Sequence, residues 1–378
     1  MSDYRLLSGV SPDDYPSRNV AVAMSGGVDS SLAAVLLKEA GFEVIGLTMK
    51  LWDFDNSGVE TSARGCCDLS TFRDAKLVAA SAGIPHYTIN LQDEFEQAVV
   101  DNFISEYLDG RTPNPCVLCN TAIKWVTFRE KARALGCDLI ATGHYARIGC
   151  HNDDTYSLFR GNDRNKDQTY FLWGLTSHNL ASTIFPLGSM TKEQTRIESE
   201  NRHLKTAQRT ESQEICFIPD NDYGRFLQSR VGEDIPKAMT EGDILDISGT
   251  VIGTHRGAAF YTVGQRKGLG IALGRPVYVT SVDASTNTVT VGDKQDACST
   301  GMTVGDMNWI RGFPPADEFR CDTQIRYRHR GVHSNVSCDG ETVGVTFDTP
   351  QLAVTPGQSA VFYDGDQVIG GGVIHTVE

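Results

Sequence analysis

No apolar run in the sequence approaches the roughly 18 residues that a membrane-spanning helix needs. The first 18 residues hold acidic side chains, two prolines and a glycine, but no apolar core, so secretory and transit peptides fit poorly. A cytoplasmic protein with no membrane partner is the expectation. A basic excess is also missing. Lys and Arg number 34 against 48 Asp and Glu, a formal charge of −14, whereas proteins that coat duplex nucleic acid are normally basic. Charges are screened beyond about 8 Å at physiological salt, so a local basic patch can still act on such a surface. Repeats and low-complexity tracts are absent, and His178, His203 and His255 lack zinc-ligand spacing. With 40% hydrophobic and 22% charged residues, disordered, collagen-like and coiled-coil classes are excluded.

The 378 residues suit two or three domains at about 100–200 residues each. Up to residue 145, strand and helix patterns alternate. Asn19–Met24, Glu43–Lys50, His86–Asn90 and Asp138–Thr142 read as strands. Asp29–Ala40, Thr71–Ala82, Asp93–Leu108 and Lys124–Leu135 read as helices. This alternation predicts an α/β domain with a doubly wound parallel sheet. Later, Pro276–Val282, Thr288–Val291 and Glu341–Phe347 alternate as half-buried strands do, pointing to a small β-barrel at the C-terminus. Boundaries near 222 and 296 give domains 1–222, 223–295 and 296–378, the central one rich in glycine.

Ser25-Gly-Gly-Val-Asp-Ser30 joins the first strand to the first helix. In a parallel sheet this turn lies at the carboxyl edge, where ligands bind. Two glycines let backbone approach an anion, and the helix start offers unpaired N–H groups. Asp29 either caps the helix or holds Mg²⁺ against phosphates. No Gly-Lys-Ser/Thr follows, so this is not a Walker A loop, and it is not a G-x-G-x-x-G fingerprint. Placed after a first strand, SGGVDS resembles the loop of the N-type ATP pyrophosphatases, which cleave ATP between its α and β phosphates. The bland reading is a plain strand-to-helix turn.

Ten cysteines are present, and without a secretion signal they are expected as thiols. Only Cys116-x-x-Cys119 has motif-like spacing, within Gly110-Arg-Thr-Pro-Asn-Pro-Cys-Val-Leu-Cys-Asn120. Two prolines hold that segment extended. Cys119 is expected near the start of the next helix, where thiol pKa values fall. Cys216 lies between apolar residues and, read alone, is a buried core thiol. Cys66 and Cys67 receive no role.

SGGVDS, TPNPCVLCN, ATGHYARI, NKDQTYFL, ICFI, GQRKGLG and TPGQSAVFY occur in the order seen in bacterial tRNA-specific 2-thiouridylases, the MnmA family. The resemblance runs from about Asn19 to the C-terminus. It implies an ATP pyrophosphatase domain, a small central tRNA-contacting domain and a C-terminal β-barrel. It also implies ATP-dependent replacement of O2 by sulfur in the wobble uridine of tRNAs for Lys, Glu and Gln. An adenylate is a good leaving group where a pyrimidine oxygen is not, and a cysteine persulfide delivers sulfur without releasing it. The sulfur donor would be a cysteine desulfurase or a sulfur-relay protein. By the same resemblance Cys119 is the nucleophile and Cys216 bears the persulfide. Ala23, Met24, Ser25, Gly26, Gly27, Val28, Asp29 and Ser30, with Met49 and Gly143, form the ATP site. Asn114, Pro115 and Cys116 touch the target base, although some members have aspartate in place of Cys116. His144, Lys166, Asp167, Gln168, Arg326, Tyr327 and Gln358 match tRNA-contact positions.

Plainer readings stand beside these. Lys166-Asp-Gln168 suits a solvated loop, and His144 a core histidine. Arg326, Arg328 and Arg330, read as one face of a strand, track phosphates or simply form a solvated edge. The three thiols Cys116, Cys119 and Cys216 could instead hold an iron–sulfur cluster. A synthetase adenylating a small carboxylate would share the ATP loop but leave TPNPC and Cys216 idle. A noncatalytic sulfur carrier would need no ATP loop.

Overall fold

The structure is a computed structural model that describes residues 4–53, 69–209, 215–271, 273–340 and 342–378. Cys66 and Cys67 lie outside the described residues. Five parallel strands form the first sheet: β1 (Asn19–Ala23), β2 (Glu43–Lys50), β3 (His86–Asn90), β4 (Leu139–Ala141) and β5 (Thr183–Ile184), in the order β3-β2-β1-β4-β5. β1 pairs with β2 through Val20–Val44 and with β4 through Val20–Leu139. The uninterrupted apolar run of β1 matches a strand buried on both faces. α1 (Val28–Glu39) packs on it through Leu32, Ala33 and Leu37, all fully buried with Val20 and Val22. The strand order reverses between β1 and β4, so the crevice at their carboxyl ends is where such a sheet receives a ligand.

Residues Gly242–Gly292 build a separate four-stranded sheet around Ile244, Val279, Val289 and Val291. The strands read at 276–282 and 288–291 belong here, as the Tyr278–Asp283 and Thr288–Gly292 hairpin, and not to the C-terminal barrel. Six antiparallel strands from Cys298–Trp309 to Gln367–Val377 close into the barrel, because Ser359–Asp364 pairs with both Glu318–Gln324 and Gln367–Val377. Three strands from the N-terminal half, Tyr4–Leu6, Ala146–His151 and Tyr156–Arg160, extend this sheet from its last strand. The parallel-sheet domain and the barrel are thus joined by main-chain hydrogen bonds.

Two local expectations are corrected. The helix read from Lys124 begins at Pro115. It runs as Pro115–Leu118, a π-helical Cys119–Thr127 and then Phe128–Ala134. Pro115 supplies a ring already set for a first helical position, so the rigid proline segment flows straight into helix. Cys119 therefore stands inside the helix and Cys116 in its first turn. Residues 326–330 form a turn and not a strand. The Gln324 side-chain amide donates to the Arg326 and Tyr327 carbonyls, and the His329 N–H to the Arg326 carbonyl, which folds the backbone off the strand. Alternation does not apply there.

Candidate active site

The SGGVDS loop closes on itself. The Ser25 N–H donates to Ser30 Oγ at 3.1 Å, and Ser30 Oγ donates to the Gly27 carbonyl at 3.3 Å. Gly26 adopts φ +69°, and a Cβ there would lie 2.2 Å from the Thr71 carbonyl oxygen. Gly27 is the N-cap of α1 and offers no side-chain cap, so the first-turn N–H groups face outward at the positive end of a 12-residue helix. Buried Ser31 Oγ has no hydrogen-bond partner among the described residues. Gly143, just beyond β4, packs against the same turn, where a Cβ would come within 2.8 Å of Asp29 C and Ser30 N. Met49 lies at the end of β2 and packs on the cores to both sides. These features suit a polyanion bound at the helix start.

Asp29 caps nothing. Its carboxylate accepts from Lys192 Nζ at 2.7 and 2.8 Å and from the Tyr145 hydroxyl at 2.7 Å. Lys192 opens a helix, Lys192–Asn201, whose capping box joins Thr191 and Gln194. The T-x-x-Q pattern signals that helix start in the sequence. Nothing there signals that its first residue meets Asp29, 163 positions away.

The cysteine segment is clamped from three sides at Thr112. Its N–H donates to the Pro356 carbonyl at 2.9 Å and its hydroxyl to Thr262 Oγ1 at 3.2 Å. The Gln358 amide donates to the Thr112 and Pro113 carbonyls at 2.9 and 3.2 Å. One residue thus meets loops of both the central domain and the barrel domain. The Tyr170 hydroxyl donates to the Ser359 carbonyl at 3.0 Å and contacts the Asn114 side chain. Cys119 and Cys216 are half-buried and pack against one apolar cluster, which includes Phe95, Ile123, Phe217 and Ile218.

Cys116 is solvent-exposed, yet desolvation by surrounding protein pushes its thiol up to about 11. Its place in the first helical turn favours thiolate, but desolvation outweighs that effect. At neutral pH Cys116 is a hydrogen-bond donor. Burial, with a smaller contribution from Lys124, holds the His144 pKa well below its ordinary 6.5, so this ring is neutral. It sits 2.7 Å from Thr142 Oγ1 and beside the Trp125 indole.

The other residues matched to tRNA contact differ in how much of each side chain is already engaged. Asp167 is buried and accepts from Arg160, Thr169 and the Gly161 N–H. Gln168 accepts from the Tyr145 N–H at 3.0 Å. The Arg326 guanidinium donates to the Leu352 and Ala353 carbonyls. Arg328 and Arg330 are exposed, and Tyr327 lies with its ring centroid 4.5 Å from that of Phe171. Lys166 is half-buried.

A phosphate loop at the switch point of a parallel sheet, followed by two β-domains, defines a nucleotide-binding enzyme of the HUP type. The chain matches the tRNA methyl transferase HUP domain over residues 18–220, the tRNA methyl transferase PRC-barrel domain over 225–293 and the aminomethyltransferase β-barrel domain over 299–374. It is 49% identical over 362 residues to the tRNA-specific 2-thiouridylase MnmA of Natranaerobius thermophilus, covering 95% of this chain and 97% of that one. The MnmA proteins of Carboxydothermus hydrogenoformans and Salinibacter ruber are 47% and 48% identical, over 94% and 95% of this chain and 97% and 94% of theirs. The chain belongs to the tRNA-specific 2-thiouridylase MnmA family, ATP-using transferases of tRNA modification.

Proposed function

We propose that this enzyme replaces O2 of the wobble uridine with sulfur in the tRNAs for Lys, Glu and Gln. Uridine O2 attacks the α-phosphorus of ATP, pyrophosphate leaves, and an adenylated uridine remains. A Cys216 persulfide then attacks C2 with its terminal sulfur, and AMP departs. The Cys119 thiolate attacks the Cys216 sulfur of the resulting mixed disulfide. The S–S bond to the base breaks, 2-thiouridine is released, and Cys119 and Cys216 end as a disulfide. The two cysteine thiols supply the electrons that reduce the transferred sulfur, so the step balances.

The observation that carries this reading is the pairing of an open phosphate-type helix start with Cys119 and Cys216 on one apolar cluster. ATP binds at Ala23–Ser30, Met49 and Gly143. Asn114, Pro115 and the neutral Cys116 thiol present donors and shape to the base. His144, Lys166, Asp167, Gln168, Arg326, Tyr327 and Gln358 contact the tRNA or hold the segments that do. Asp29 is the acidic group beside the loop opening and would hold Mg²⁺ on releasing its Lys192 partner. When bound, Mg²⁺ neutralises phosphate charge. A cysteine desulfurase or a relay protein loads Cys216, in the cytoplasm. Among the described residues no helix is long and apolar enough to cross a membrane.

The iron–sulfur alternative needs three thiolates to converge. Among the described residues no group of three metal-type side chains does so; the persulfide route needs only two cysteines. The test is reconstitution with ATP, a sulfur donor and unmodified tRNA, followed by mass spectrometry of the nucleosides. Cys119→Ser and Cys216→Ser are expected to abolish 2-thiouridine, whereas Cys116→Ser retains appreciable activity in air-purified enzyme. Thiolation by either of the first two variants overturns the roles. Stoichiometric iron after anaerobic purification, lost together with activity in Cys116→Ser, overturns the route.

A further inference from the structure

Lys124 carries a charge that the proposed chemistry has not used. Its ammonium is half-buried and donates to Asn120 Oδ1 at 2.8 Å. Asn120 is almost wholly buried, and its own amide donates to the Phe171 carbonyl at 2.8 Å. Among the described residues no carboxylate pairs with Lys124. A cation retained in a recess without a counter-ion is unfavourable for folding alone, and such arrangements concentrate where chemistry needs them.

The helix geometry aims this charge. In an α-helix, at about 100° per residue, Lys124 would stand roughly 140° round the axis from Cys119. The segment Cys119–Thr127 is π-helical. At about 4.4 residues per turn it brings the five-residue offset to roughly 50°. Lys124 and Cys119 therefore share a face, with Cys116 one turn earlier. Lys124 favours the charged form of Cys116 and disfavours that of His144, so its field reaches both groups.

We propose that Lys124 is an electrostatic positioning residue of the sulfur-transfer step, holding Cys119 as a thiolate. This rests on Cys119 being the nucleophile. Cys116 on the same helix interacts with both Cys119 and Lys124, and Cys216 packs against the same apolar cluster as Cys119. From the neighbouring helix Phe95 and Val99 join the same cluster, and Glu96 on that helix is paired with Arg230.

The experiment is the pH dependence of Cys119 alkylation by iodoacetamide in the full chain, without ATP or tRNA, resolved from the other cysteines by peptide mass spectrometry. Lys124→Gln keeps a donor for Asn120 but removes the charge, and Lys124→Arg keeps both. The expected result is a Cys119 midpoint raised by about one pH unit in Lys124→Gln and restored in Lys124→Arg. A midpoint unmoved in Lys124→Gln, or moved equally in Lys124→Arg, overturns the proposal. Because thiol reactivity is read without turnover, absence of thiolation by the wild-type protein would count against the proposed function and not against this charge coupling.

Discussion

Gly26 and Gly27 are neighbours in the phosphate loop, and each is glycine for a different reason. At Gly26 the backbone has φ +69° and a Cβ would drive into the Thr71 carbonyl, so any side chain strains the fold itself. At Gly27 a Cβ meets only Ser25 Oγ, at 3.6 Å. The protein has room there, and in the proposed reading that space is taken by the phosphates. Gly27→Val is therefore expected to fold with an unchanged Tm, to lose ATP-to-AMP turnover and to keep tRNA affinity. Pyrophosphate release at the wild-type rate would show that the phosphates lie elsewhere. Cys116 makes a comparable point. Helix-start position and spacing both mark it as reactive, yet desolvation keeps it a neutral thiol.

The segment from Gly110 to the π-helix is the element on which the site depends. It carries prolines for stiffness, but its place is set by other domains through Thr262, Pro356, Ser359 and Gln358. Gln358→Ala would leave two main-chain carbonyls without their donor, each hydrogen bond contributing about 1 kcal/mol. It would also let the loop that carries Asn114 and Cys116 drift, and misplacement by about 1 Å can slow a reaction roughly a hundredfold. The expected outcome in single-turnover assays is thiolation slowed about ten- to a hundredfold, with little change in ATP affinity. If Gln358 acts through the loop, the slope of log K for tRNA against log salt stays unchanged. A slope reduced by about one would assign the side chain to a phosphate.

At the scale of the whole molecule, four histidines are held below their ordinary pKa of 6.5, in each case chiefly by desolvation: His86, His144, His255 and His329. The unfolded chain takes up protons at these positions as pH falls through about 6.5, and the folded chain resists until lower pH. Stability is thus fully present above that range and declines as pH falls below it. Carboxylates with lowered pKa, such as Asp14, Asp220 and Asp283, add their loss only in a more acidic range. Urea midpoints are expected to drop between about pH 7.5 and 5.5, with net proton uptake on unfolding at the lower value. A midpoint constant across that interval would contradict the burial of these rings.

What the sequence determined by itself was local. The apolar run of β1, the Ser-Gly-Gly turn and the helix after it were legible because strand, turn and helix start depend on residues within a few positions of one another. His86–Asn90 was legible for the same reason, and the order of motifs carried the family. The start of the cysteine helix was misplaced by nine residues, from Lys124 to Pro115, because a π-helical stretch breaks the 3.6-residue period by which helices are recognised. Tertiary structure alone decided that Lys192 meets Asp29 and that Gln358 holds Thr112 across 246 residues. It also decided that Arg326 turns onto the Leu352 and Ala353 carbonyls, and that strands from the N-terminal half extend the barrel sheet. Each of these joins segments far apart in the chain, and such pairings are selected by packing and hydrogen-bond satisfaction in the folded molecule, which no local pattern encodes.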